Sequence, residues 1–282
     1  DLERTAHATL VELLAPEAGW RAASVDHGNR VVGDVVLDLR AVTGPRLRDV
    51  SLAVREGEVV GLAGLAGSGA REVLLTTCGA APYTAGSIML GGRSLRSGNT
   101  LAAVRYGVGF LPGDRSLGTF PTHVVRHNVT LPSLRRYARL GFVGRGRERS
   151  AVAELLERVA LRASQEAPIT SLSGGNQQKA LVARWIGSNA RLLLLDDPTA
   201  GVDVATRPEI HAQIRALTEA GVGVLLVSTD EEELAELSDR VLVFERGAVT
   251  AELTSDALTP ARVLAAMTGQ PLSASPSPKE EP

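Results

Sequence analysis

Residues 61–72 read GLAGLAGSGARE and residues 171–186 read SLSGGNQQKALVARWI. Both strings put glycines where a helix could begin, and a helix entrance presents free backbone N–H groups to an anion. A phosphate-binding loop of pattern G-x-x-x-x-G-K-[ST] uses glycines to curl successive N–H groups around phosphate, Lys to reach the β/γ oxygens and a hydroxyl to hold Mg²⁺. Gly64, Gly67 and Gly69 fit that pattern, with Ser68 and Glu72 completing the segment, but Ala70 stands at the Lys position and Arg71 at the Ser/Thr position. One residue of helix turns a side chain by about 100°, so Arg71 is expected to point away from the phosphates rather than replace Lys. A glycine turn that merely packs a strand against a helix would read the same way. In the second string, Ser171 or Ser173 can cap a helix whose first turn carries Gly174 and Gly175. Over SGG alone, an ordinary Ser-capped helix is the better reading.

These residues need elements to hold them. From VVLDLRAV (35–42) through LRDVSLAV (47–54) to EVVGLAGLAG (58–67), short β-rich runs predict a small sheet and then a strand entering the glycine loop. REVLLTTCG fits a helix ended by Gly79, SIMLGGRSL (87–95) a hairpin and YGVGFLP (106–112) a buried strand. Between about 115 and 185 the sequence turns arginine-rich with helical period, as in ERSAVAELLERVAL (148–161), predicting an inserted helical subdomain. RLLLLDD (191–197) and VGVLLVSTD (222–230) are continuous apolar runs, as expected of strands buried on both faces of a parallel sheet. RVLVFERGAVTAEL (240–253) reads as a closing hairpin. Leu2, Ala6, Leu10, Leu13 and Leu14 predict a terminal helix over 1–20, and SASPSPKEEP a disordered tail over 271–282.

Composition narrows the partners. A chain of 282 residues, 44% hydrophobic and 22% charged, can bury an ordinary core, and a net charge of −2 gives no basic footprint for nucleic acid. Arginine carries nearly all the positive charge, Lys179 and Lys279 being the only lysines. Cys78 is the sole cysteine, which excludes an internal disulfide. The five histidines are scattered without ligand spacing, so no structural metal site is expected. No apolar run approaches the roughly 18–20 residues needed to cross a bilayer.

The full string LSGGNQQK (172–179) resembles the signature motif of ATP-binding-cassette (ABC) ATPases, in the form used by bacterial monosaccharide importers. LLLLDDPTAGVD (192–203) is similar to the family's Walker B strand, catalytic carboxylate and D-loop. The resemblance implies that Asp196 holds Mg²⁺ through water and that Asp197 takes the place of the glutamate that polarises the attacking water. A strand-end DD pair acting as a turn or helix cap remains the alternative. Asp197 is one methylene short, and misplacement near 1 Å can cost on the order of 10²-fold in rate. Thr229 or Asp230 occupies the neighbourhood of the family's switch histidine, and in FLPGDR Gly113 sits where the Q-loop Gln or Glu belongs. VVLDLRAVTGPRL supplies no aromatic to stack on adenine.

That pattern resembles the second of two ABC domains fused in one chain in such importers, over about residues 35–270. The resemblance implies an α/β fold: a P-loop NTPase (ABC ATPase) core with a mainly parallel sheet, an N-terminal antiparallel β-subdomain and the inserted helical subdomain. It implies ATP and Mg²⁺ as cofactors, both held weakly here, while Ser173, Gly174, Gly175 and Gln177 complete an ATP site on a preceding ABC domain. It also implies membrane permease subunits docked by the helical subdomain, a periplasmic-type sugar-binding protein as indirect partner, and a peripheral place on the cytoplasmic face of the membrane. The first helix would be the tail of the preceding domain. A hydrolytically competent ABC ATPase domain is one alternative, and a soluble ABC protein acting on DNA or ribosomes another.

Overall fold

A computed structural model describes residues 33–139, 141–254 and 257–270. The expected helix over 1–20 and tail over 271–282 lie outside these residues. In chain order the elements are β1 (Val35–Gly44), β2 (Leu47–Arg55), β3 (Val59–Ala63), α1 (Ala70–Thr77), β4 (Ala85–Leu90), β5 (Arg93–Leu95), α2 (Thr100–Arg105) and β6 (Val108–Leu111). Then come α3 (Arg115–Gly118), α4 (Val125–Thr130), α5 (Leu134–Tyr137), β7 (Ala138–Arg139), β8 (Phe142–Val143), α6 (Arg145–Arg158) and α7 (Gly174–Ser188). The chain continues through β9 (Leu192–Asp196), α8 (Arg207–Glu219), β10 (Gly223–Val227), α9 (Glu231–Leu237), β11 (Arg240–Glu245), β12 (Ala248–Thr254) and α10 (Pro260–Met267).

The fold is α/β with two main sheets. One is antiparallel, in the order β2-β1-β4-β5; the other runs β12-β11-β3-β10-β9-β6, parallel throughout except for the β11–β12 hairpin. Every residue of β3, β9 and β10 is buried, which is why these strands are apolar without alternation. The pleat still sorts their side chains. Val60, Leu62, Leu192, Leu194 and Leu225 join the antiparallel sheet and α1 in one core layer. Val59, Leu193, Leu195, Val224 and Leu226 join the helices in the other. Each such side chain contributes about 1.5–3 kcal/mol by leaving water, so the carboxyl ends of the parallel strands are fixed from both sides.

The helical subdomain hangs on a buried arginine. Arg184 of α7 donates from Nε to the Asn128 carbonyl at 2.6 Å and from Nη1 to the Gly118 carbonyl at 2.7 Å, joining α3, α4 and α7. Burial pushes its pKa down to about 10. A helical period did not disclose β7 and β8, which pair within the subdomain; Gly141, at φ +84°, allows that turn. The run TPARVLAAMTG forms α10, capped by Thr259, and it packs on α9 and β11.

Candidate functional site

The glycine loop joins β3 to α1 as expected, and its backbone explains its glycines. A Cβ built on Gly64 would lie 2.4 Å from Ser68 Oγ and 2.7 Å from the Phe244 carbonyl. Gly69 has φ +104°, and a Cβ there would lie 2.8 Å from Gly247 Cα. Gly67 is also left-handed, at φ +80°, but faces open space. Ser68 is buried, and its Oγ accepts the Ala70 N–H at 3.5 Å.

The side chains that follow the loop face different neighbours. Ala70 is buried in the core layer beneath the loop. Glu72, expected at the nucleotide, pairs with Arg46 at 3.1 Å. Arg71 meets the end of β9: Nε donates to Asp196 Oδ2 at 2.7 Å.

Asp196, expected to hold Mg²⁺ through water, faces the Arg71 cation. Its side chain is 2% exposed, whereas that of Arg71 is 53% exposed. Burial pushes the Asp196 carboxyl up, while the Arg71 cation and the Gly113 N–H pull it down. These residues do not fit Mg²⁺. The hydroxyl position holds the guanidinium, and the Q-loop position is Gly113, where a Cβ would lie 2.9 Å from the Asp196 carbonyl oxygen. No group of three or more metal-ligating side chains occurs among the described residues.

Asp197 follows in the left-handed region at φ +45°, and its Oδ1 accepts both the backbone N–H and the hydroxyl of Thr229, at 2.6 and 2.9 Å. Asp230 is occupied elsewhere, capping α9 and pairing with Arg207 at 3.0 Å. Thr229 thus holds Asp197 through both its backbone and its side chain.

The signature segment is built as the sequence predicts. Ser173 caps α7, its Oγ accepting the Asn176 N–H at 3.4 Å. Gly175 packs against Thr206, with a built Cβ 2.9 Å from that methyl group. Gln177 folds back, donating to the Leu172 carbonyl at 3.0 Å, and Lys179 pairs with Glu209. Among the described residues no hydrogen bond joins this segment to the glycine loop.

Arg115, in the Gly-Asp-Arg string, was not singled out from the sequence, yet it organises this side. Its Nη1 donates to the carbonyls of Ala200 and Gly201 at 3.3 and 3.1 Å, and lies 2.9 Å from a Cβ built on Gly174. A second missed group is His211, bonded to Glu233 at 3.1 Å and Glu236 at 3.2 Å, with Glu233 also accepting the Thr199 hydroxyl. Neither long-range contact has a local sequence signal.

Two stacked layers, a glycine loop after β3, a carboxylate at the end of β9 and a Ser-Gly-Gly helix entrance define the ABC ATPase class of P-loop folds. The family pattern described as ABC transporter matches residues 47–200, and the chain belongs to that family. It is 42% identical over 237 residues to the ribose import ATP-binding protein RbsA 1 of Rubrobacter xylanophilus, covering 82% of this chain and 47% of that protein. It is 41% identical over 246 residues to the xylose import ATP-binding protein XylG of Burkholderia ambifaria, covering 83% and 47%. The chain thus spans about half the length of these relatives. Among solved structures it is similar to the ATP-binding cassette MJ0796 in a dimeric post-hydrolysis state bound to ADP and Pi. That match has a TM-score of 0.68 and 24% identity, covering 77% of this chain and 98% of that one. Among the described residues no helix is long and apolar enough to cross a membrane.

Proposed function

We propose that the chain is the accessory nucleotide-binding domain of a carbohydrate ABC importer, degenerate in its own ATP site and donating its signature segment to the ATP of a preceding ABC domain. The sugar class rests on the ribose and xylose import relatives, and the preceding domain on their roughly double length. One observation carries the asymmetry: Asp196 is held by Arg71, which stands at the hydroxyl position, while Ala70 at the lysine position is buried in the core. The entrance of α7, in contrast, keeps its Ser173 cap and its paired glycines.

In such a pair, Ser173, Gly174 and Gly175 present N–H groups and the positive end of the helix to a γ-phosphate held by the other domain. The helical subdomain docks the membrane permease, and a sugar-binding protein acts through that permease. The domain works at the cytoplasmic face of the membrane without entering it. A hydrolysis assay on this chain alone tests the degenerate half of the reading. No turnover above the background of an Asp197→Asn control is expected, and turnover that this substitution abolishes would make the domain a competent ATPase.

A further inference from the structure

We propose that the Arg71 guanidinium takes the place of Mg²⁺ in the glycine-loop site, which therefore accepts metal-free nucleoside polyphosphate and is weakened by magnesium. The inference rests on the reading of this loop as a nucleotide site.

Three positions of an ABC site face the metal; here two of them carry other residues and the third is turned to a new partner. The hydroxyl position supplies a cation. The Q-loop position is a glycine, with the Asp196 carbonyl only 2.9 Å from its built Cβ. The remaining position, Asp196, keeps its carboxylate and spends it on that cation at 2.7 Å. A site that had merely lost its metal would leave a buried carboxylate without a counter-ion, which is costly. Here the positive charge is attached to the chain.

The geometry leaves the guanidinium able to do more than neutralise Asp196. Only Nε is engaged: among the described residues Arg71 has no other hydrogen-bond partner, and its side chain is 53% exposed. A guanidinium has five N–H donors in a planar fork that matches phosphate oxygens two at a time. Arg71 can hold Asp196 through Nε and offer its terminal N–H groups to a phosphate, bridging anion to carboxylate as a metal ion would. Magnesium then becomes a competitor, because it covers phosphate oxygens and cancels the charge that Arg71 attracts. It finds no ligand set here in return.

The test is equilibrium binding of ATP to this chain in EDTA and in saturating Mg²⁺. ATP is expected to bind about three- to tenfold more tightly in EDTA. Arg71→Lys, which keeps the charge and loses the fork, should bind more weakly overall while keeping the preference. Arg71→Gln, which can still bond Asp196 but carries no charge, should lose the preference, with thermal melts confirming that both variants fold. Binding strengthened by Mg²⁺, no binding in either condition, or a preference that survives Arg71→Gln would each overturn the inference. Metal-strengthened binding without hydrolysis would leave the accessory role standing, whereas hydrolysis by the chain alone would remove that role whatever the metal preference.

Discussion

Thr229 holds Asp197 twice, through its backbone N–H at 2.6 Å and its hydroxyl at 2.9 Å, both to the same carboxylate oxygen. This contact pins the carboxylate that follows β9, at a residue whose backbone is already left-handed. Thr229→Val removes the hydroxyl and keeps the shape. It should lower stability by about 1 kcal/mol, read as a shift in the urea midpoint, and leave the isolated chain without hydrolysis.

Repair of the glycine loop needs both missing functions. Ala70→Lys with Arg71→Ser should tighten Mg²⁺-dependent ATP binding at least tenfold, about 1.4 kcal/mol, in a calorimetric titration. Arg71→Ser alone should destabilise the fold, because it strands Asp196, whose side chain is 2% exposed, without its cation. Absence of any gain in a folded double variant would mean that the loop's shape, and not its side chains, limits binding.

Gly69→Ala should be severe for a different reason. The position has φ +104° and a built Cβ would press on Gly247 Cα at 2.8 Å, backbone against backbone. A loss on the order of 2 kcal/mol or more is expected, seen as a fall in Tm. Gly67→Ala, strained by φ but facing open space, should cost less.

His211 gives the fold a pH dependence. Burial pulls its pKa down, but the hydrogen bonds of Glu233 and Glu236 outweigh burial and raise it to about 9. A raised histidine binds its proton more tightly in the folded state. Its contribution is therefore complete below the unfolded value near 6.5 and is lost as pH rises through about 9. Urea unfolding at the two ends of that window should show wild type losing on the order of 3 kcal/mol relative to His211→Gln; parallel pH profiles would refute the assignment.

Much of the fold was legible because the parallel strands are buried on both faces, leaving apolar runs such as LLLL and VLLV that few other structures tolerate. Gly64 and Gly69 were legible too, since only glycine fits their contacts. The contact of Arg71 is not legible locally, because its partner lies 125 residues away on β9. The pairing of Glu72 is not legible either, because nothing local discloses Arg46, 26 residues earlier. The short β7–β8 pair was hidden inside an arginine-rich stretch with too few residues to show a period of two.

The proposed asymmetry between the two motifs is tested most directly in a protein that joins this chain to the preceding ABC domain proposed for it, by steady-state ATP hydrolysis of two variants with melts to control folding. Gly174→Asp sets a carboxylate at the entrance of α7, where only the flexible end of Arg115 must move. Gly67→Asp sets the same group in the glycine loop, where nothing lies within 4 Å. The account predicts that hydrolysis collapses in the Gly174 variant, by about a hundredfold for loss of phosphate-directed donors, and is largely kept in the Gly67 variant. Equal loss in two folded variants would contradict it, since the glycine loop would then be a working hydrolytic site.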